Sequence, residues 1–283
     1  MALRKSYSLS MPGGTTLELG ECTRVMGIIN VTPDSFADGG DCFLPERAID
    51  RALELEDAGA DILDIGGEST RPGALPLSGD EELRRVIPVI DQLSKRVSVP
   101  VSIDTYKGSV AEAAIDLGAV IVNDISGLSY DPSLASVVAK RGVPVVLMHN
   151  RGRSQQMYRE ASYQNIGEEI VAELRIAIDR AVDAGISREQ IVVDPGLGFA
   201  KHARQSTVVL ADLPCLSSLD RPILVGASRK SFLESMLGAR SPDNREWGTA
   251  GAVAVAAFLG AHIIRVHDVS AHRDVVRVVD TLR

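Results

Sequence analysis

Short Val/Ile-rich runs in this chain end again and again in acids, amides and bases, the residue types that bind or activate small molecules. In order, the run ends carry Asn30, Asp64 with Glu68, Asp104, Asn123 with Asp124, His149, Asp194, Ser228 to Ser231, and Arg265 with His267. One polar run end is ordinary turn or capping chemistry. Eight of them on one rim point to a pocket. Arg265 and His267 alternate with Val266 and so face one side, and Lys230 follows the preceding run. A guanidinium fork, an ammonium and loop amides suit phosphate oxygens. The alternative for Arg265 is a salt bridge to Asp194 or Asp104. The other wall offers Asp104, Asn123 and Asp194. A carboxylate accepts two parallel N–H bonds and Asn both donates and accepts, which suits a flat heterocycle with an amidine-like edge. Asp194-Pro-Gly also reads as a plain turn.

The elements that must position these residues follow from periodicity. Buried strands are predicted at 25–30, 61–66, 101–104, 120–124, 144–149, 191–194, 222–226 and 263–267, each bounded by turn signals. Amphipathic helices are predicted between them at 45–58, 80–95, 109–117, 132–141, 167–184, 205–219, 230–237, 247–259 and 271–282. Pro45 opens the first and Gly59 stops it; Gly118, Gly142 and Gly185 stop others. Eight strand–helix units predict an α/β chain folded as a single (β/α)8 TIM barrel, whose chemistry sits at the C-terminal strand ends. The rival, a doubly wound dinucleotide-binding sheet, wants G-x-G-x-x-G after its first strand. Here that strand runs into Asn30-Val-Thr-Pro-Asp-Ser-Phe36. Residues 7–9 and 16–19, joined through Pro12-Gly13-Gly14, predict an N-terminal β-hairpin, so the expected organisation is a hairpin over 1–24 and a barrel over 25–283.

Composition narrows the function classes. Among 283 residues, 30 Lys and Arg against 38 Asp and Glu leave a net charge of −8, which disfavours a nucleic-acid partner. Hydrophobic residues at 45% and charged ones at 24% are those of a globular chain. Cys22, Cys42 and Cys215 stand far apart with no CxxC pair, so no disulfide framework is expected. No HExxH pair or Cys cluster suggests zinc. The N-terminus lacks an apolar segment behind its basic residues, and the most apolar stretch, 250–264, is too short for a bilayer. No membrane association and a cytoplasmic location are expected.

The motifs themselves are distinctive. Met26-Gly-Ile-Ile-Asn-Val-Thr-Pro-Asp-Ser-Phe-Ala-Asp-Gly-Gly40, Gly66-Gly-Glu-Ser-Thr-Arg-Pro-Gly73, Ser102-Ile-Asp-Thr105, Asn123-Asp124, Asp194-Pro-Gly-Leu-Gly-Phe199, Ser228-Arg-Lys-Ser231 and Arg265-Val-His-Asp268 resemble, in order, those of the dihydropteroate synthase family. The resemblance implies an enzyme of folate biosynthesis that joins 6-hydroxymethyl-7,8-dihydropterin diphosphate to p-aminobenzoate, releasing diphosphate with help from Mg2+. It implies pterin contacts at Asp104, Asn123, Met148, Asp194, Phe199 and Lys230, and diphosphate contacts at Asn30, Arg265 and His267, with Asn30 also the metal ligand. It implies p-aminobenzoate contacts at Phe36, Thr70, Arg71, Pro72 and Ser231, and a catalytic set of Asp38, Asp104, Lys230, Arg265 and His267. A homodimer is implied too, for which the Ala-rich stretch 251–259 offers a close-approach face. Ser206 stands where many relatives carry Asn. Asn150-Arg-Gly-Arg-Ser154 is given no role.

The chemistry agrees with an S_N1-like substitution. Diphosphate leaves once its charge is spread, the dihydropterin carries positive charge at its exocyclic CH2, and Asp38 and Asp104 stabilise that cation. Three other classes remain. A pterin-binding methyltransferase shares Asp104, Asn123 and Asp194 but has no need of the basic set. A Schiff-base lyase needs a neutral Lys230, which Arg229 favours and the facing acids oppose. The third is a binding module without turnover.

Overall fold

The computed structural model describes residues 4–32, 45–71 and 73–283. Its first element is an antiparallel hairpin of β1 (Tyr7–Ser10) and β2 (Thr16–Leu19), joined through a 3-10 turn at Pro12–Gly14. Eight parallel strands follow: β3 (Arg24–Asn30), β4 (Ile62–Gly66), β5 (Val101–Asp104), β6 (Ile121–Asp124), β7 (Val145–Met148), β8 (Ile191–Asp194), β9 (Leu224–Val225) and β10 (Ile263–Val266). They lie in the order β8-β7-β6-β5-β4-β3-β10-β9. A bridge from Val193 to Ile223, with Val193 N–H donating to the Pro222 carbonyl at 2.9 Å, brings β8 against the foot of β9 and closes the ring. The predicted barrel and hairpin are therefore both present.

The helices are α1 (Pro45–Asp57), α2 (Gly79–Leu93), α3 (Gly108–Asp116), α4 (Pro132–Arg141), α5 (Ile166–Asp183), α6 (Ala203–Ala211), α7 (Glu234–Leu237), α8 (Glu246–Leu259) and α9 (Val269–Leu282). Local chemistry sets their ends. Asp131 caps α4 by accepting from Ser133 N–H, Pro132 occupies its first turn, and Gly142 ends it at φ 64°. Two predicted helices are shorter than expected. The one at 205–219 stops at Ala211, and Leu213–Leu219 continues as a 3-10 turn. Pro214 has no N–H to donate to the turn before it. The one at 230–237 is a 3-10 turn, Ser231–Leu233, followed by the single turn of α7.

Apolar residues fall in three places. The largest cluster lies between strands and helices, with Val25, Ile65, Ile103, Leu147 and Val193 facing the helix ring. At the N-terminal mouth, Leu9, Met11, Leu17 and Leu19 of the hairpin close over Met26, Ile62, Ile121, Val146, Val192, Leu224 and Ile263. The third cluster, Tyr106, Ile125 and Met148 with Tyr130 and Phe199, lies beyond the C-terminal strand ends.

Candidate active site

Side chains two residues apart on a strand share a face. Moving two residues up from the apolar floor therefore leads to Asp64, Asn123, Met148, Asp194, Gly226 and Arg265 on the inner face. The register adds Ser102 opposite Asp64 and Asp104 opposite Gly66 and Asn123. A floor of methyl groups thus gives way, within one layer, to acids, an amide and a guanidinium.

Asp64 is the centre of that layer. It is fully buried; its Oδ2 accepts from Arg265 Nε at 2.6 Å and from Asn123 Nδ2 at 2.9 Å. Arg265 Nη2 donates to Asp104 Oδ2 at 2.6 Å. The salt bridge expected as one alternative for Arg265 is thus present, to Asp104 and Asp64. Burial pushes the Asp104 carboxyl up to about 7 against the opposing pull of Arg265. Asp194, also buried, accepts from Gly196 N–H at 2.7 Å. The turn reading and the inward-facing reading of Asp194 both hold. Gly196 has φ +67°, and a Cβ there would lie 2.1 Å from the His149 carbonyl oxygen, so only glycine fits.

Lys230 donates from Nζ to the Leu197 carbonyl at 2.6 Å and lies 4.7 Å from the centre of the Phe199 ring. Burial lowers its pKa to about 8, with Asp194 opposing. Arg229 is not the cause expected from sequence. It sits at φ 57° and is turned onto Asp243 at 3.0 Å and Glu246 at 2.9 Å. His267 follows β10, its Nδ1 2.8 Å from Ser228 Oγ, whose oxygen also accepts the His267 backbone N–H at 3.2 Å. Burial lowers the His267 pKa to about 3, reinforced by the positive charges of Arg265, Arg229, Arg71 and Arg51. A neutral imidazole amid four guanidiniums marks a place where negative charge is welcome.

Asn30 ends β3, paired in register with Gly66. Thr70 and Arg71 follow β4 in a loop tied to the segment that sequence left without a role: Gly73 N–H donates to the Ser154 carbonyl at 3.0 Å and Ser154 Oγ to that of Thr70 at 3.4 Å. Ser231 is exposed where the turn toward α7 begins. Phe36, Asp38 and Pro72 lie outside the described residues. Other rim residues hold loops. Asp124 accepts N–H bonds from Ser126 at 2.8 Å and Leu128 at 2.6 Å, and Glu68 accepts from Tyr106 at 3.0 Å and pairs with Lys107. His149 lies between Glu173 and Lys201. Asp64 stands among the polar strand ends in the sequence, which assigns it no contact; the fold makes it the partner of both Arg265 and Asn123. Sequence reading passed over the edge-on pair Tyr106–Tyr130, 5.2 Å apart, because neither ends a strand.

Comparison with known proteins follows the same line. A family model described as pterin binding enzyme matches residues 26–267. The dihydropteroate synthase of Synechocystis sp. is 44% identical over 273 residues, covering 96% of this chain and 94% of that protein. The Xanthomonas albilineans dihydropteroate synthase with 4-aminobenzoic acid superimposes with a TM-score of 0.91 at 42% identity, covering 98% of each chain. Its complex with 7,8-dihydropteroate gives 0.84 at 40% identity, over 92% of this chain and 94% of that one. On this similarity, running almost the full length of both sequence and fold, the chain belongs to the dihydropteroate synthase family of pterin-binding enzymes.

Proposed function

We propose that the chain condenses 6-hydroxymethyl-7,8-dihydropterin diphosphate with p-aminobenzoate to give 7,8-dihydropteroate and diphosphate. The observation that carries this reading is one barrel mouth with two walls. Buried Asn123 and Asp194, with half-buried Asp104 and Lys230, stand on one side and Arg265 and His267 on the other, Arg265 meeting Asp104 where the two join. Asp194 and Asn123 take the paired N–H and ring acceptors of the pterin edge. Met148 and Phe199 supply apolar contact for the ring, and Lys230 donates to a ring oxygen or nitrogen. Arg265 and the His267 imidazole receive the diphosphate.

The carbon–oxygen bond between the exocyclic CH2 and the diphosphate breaks, and the diphosphate leaves with the electron pair. The dihydropterin carries the resulting positive charge, which the carboxylates of Asp104 and Asp38 stabilise. The amine lone pair of p-aminobenzoate then forms the carbon–nitrogen bond, and the amine proton passes to the departing diphosphate or to water. Thr70, Arg71 and Ser231, with Phe36 and Pro72, receive p-aminobenzoate, its carboxylate meeting Arg71 and Ser231.

Mg2+ fits the donor set in one particular way. Among the described residues no three His, Cys, Asp or Glu side chains group as metal ligands. Mg2+ keeps several waters and takes one or two protein oxygens beside substrate phosphates. Asn30 at the end of β3 would hold the ion through its carboxamide oxygen, and the ion would supply neutralising charge to the leaving group.

The reaction belongs to the cytoplasm, a reading supported by Cys22 and Cys215 being free thiols and by the absence, among the described residues, of a helix able to cross a membrane. The working unit is a homodimer of barrels, residues 25–283, each with its hairpin extension over 1–24. The test is turnover. Purified protein given both substrates and Mg2+ should release diphosphate and form 7,8-dihydropteroate in equal amounts, with release falling to background when p-aminobenzoate or Mg2+ is withheld. Failure to form dihydropteroate under these conditions would overturn the reading.

A further inference from the structure

Lys201 is among the largest fully buried side chains of the described residues, 1% exposed, and no role in the reaction accounts for it. A lysine is almost never buried whole without a paired acid. This one makes its contacts with a histidine and two carbonyls. Its Nζ lies 2.8 Å from His149 Nδ1, 2.9 Å from the Phe199 carbonyl and 3.4 Å from the His149 carbonyl. Burial holds its pKa well below the ordinary lysine range. A methionine would fill the space without that electrostatic cost, so the three contacts are what the amine supplies.

Those contacts join the end of β7 to the loop after β8. His149 is fixed from the far side by Glu173, 3.1 Å from Nε2, and Glu173 is itself gripped by Arg151. The next residue of the loop, Ala200, has φ +47°, a left-handed conformation that costs an L-residue about 1 kcal/mol or more. It is held there by Tyr163, whose hydroxyl donates to the Ala200 carbonyl at 2.9 Å. Two successive carbonyls are thus anchored by two side chains from outside the pocket. On the pocket side, the same stretch presents the Phe199 ring and the Leu197 carbonyl that orients Lys230.

We infer that Lys201 is a positioning residue: through His149 and the Phe199 carbonyl it holds the loop after β8 in the conformation that presents Phe199 and Lys230 to the heterocycle. This rests on the reading of the site as a pterin pocket. It assigns Lys201 to ring recognition alone, since it touches neither the anion wall nor the loop carrying Thr70 and Arg71.

Two variants test it, Lys201→Met and Tyr163→Phe, with steady-state kinetics and calorimetric binding of the pterin alcohol. Lys201→Met should raise KM for the pterin diphosphate at least tenfold and weaken the alcohol by the same factor. KM for p-aminobenzoate should stay within twofold. Tyr163→Phe, which leaves no buried amine behind, should shift the same two constants about threefold in the same direction. A lowered melting temperature with pterin affinity unchanged, or equal losses for both substrates, would overturn the positioning role. Should Lys201→Met fail to fold, unchanged pterin affinity in Tyr163→Phe overturns it alone. Wild-type protein that does not bind the pterin alcohol would count against the proposed function itself.

Discussion

Lys230 is half-buried with its amine on the Leu197 carbonyl, and its pKa falls to about 8 because desolvation outweighs Asp194 and Asp104. Above that pH the folded protein holds a neutral amine, while the unfolded chain keeps its proton up to the ordinary lysine range. Lys230 therefore costs stability below about pH 8, and stability contributed by this group rises as pH climbs from there toward 10.5. Substrate binding moves the other way, since the pterin loses a charged donor. We predict that kcat/KM for the pterin diphosphate falls through pH 8 in the wild type, and that Lys230→Met is lower and flat across the same range. A pH profile of both proteins checks this. At this scale the sequence showed which side chains share the rim but not which are already engaged. Arg265 spans Asp64 and Asp104, so Arg265→Ala strands two buried acids at a cost of about 3 to 5 kcal/mol and confounds binding with folding. His267 is the cleaner probe of the anion wall. Asp64 is visible in the sequence as a polar strand end, but its partners Arg265 and Asn123 lie 201 and 59 residues away and show only in the fold. Arg229 was placed beside Lys230 by adjacency alone, and its positive φ turns it away.

Four barrel strands, β4, β6, β8 and β10, carry an apolar residue at the foot and a polar residue two steps further on the same face, so one short element serves both stability and chemistry. The alternation was legible because buried parallel strands are short and bounded by turns. Helix ends were legible where Pro, Asp or Gly marks them, as at Asp131 and Gly142. They were not where a proline sits inside the pattern. Pro214 ends α6, whereas Pro88 lies within α2, where surrounding burial of Val86, Val89 and Ile90 outweighs the lost bond. The hairpin belongs wholly to the stability end of the barrel. Leu9, 1% exposed, meets the strand feet, so Leu9→Ala should cost about 2 to 5 kcal/mol. Denaturant unfolding would show this as a lower midpoint at unchanged slope, with KM for both substrates unaffected. A change in either KM would mean that the floor of the barrel reaches the pocket.

For the whole molecule, charge and shape point in different directions. The chain carries a net charge of −8, yet its mouth gathers Arg265, Arg229, Arg71 and Arg51 around His267. Local arrangement, which composition does not report, decides what the pocket attracts. The same holds for assembly. The alanines of α8 that sequence offered as a dimer face, Ala252, Ala256 and Ala257, are buried against the barrel. The outward face instead shows Trp247 at 89% exposure, with Val255 and Phe258 exposed eight and eleven residues further on, at helical spacing. Val278 and Leu282 of the neighbouring α9 are exposed as well. A homodimer would use these side chains. Light scattering at micromolar concentration should give twice the 30.2 kDa of one chain, and Trp247→Glu should return the single-chain mass.

The account stands or falls on two walls reading two parts of one substrate. Calorimetric titration of the pterin diphosphate and of the pterin alcohol into wild type, Asp194→Asn and His267→Ala isolates each wall. Asp194→Asn should weaken both ligands alike, by about 2 kcal/mol or roughly thirtyfold, because a charged acceptor for the ring is lost while the turn to Gly196 is kept by the amide oxygen. His267→Ala should weaken the diphosphate about tenfold or more and leave the alcohol within twofold. Equal losses for the two ligands in His267→Ala, or unchanged affinities in Asp194→Asn, would contradict the assignment.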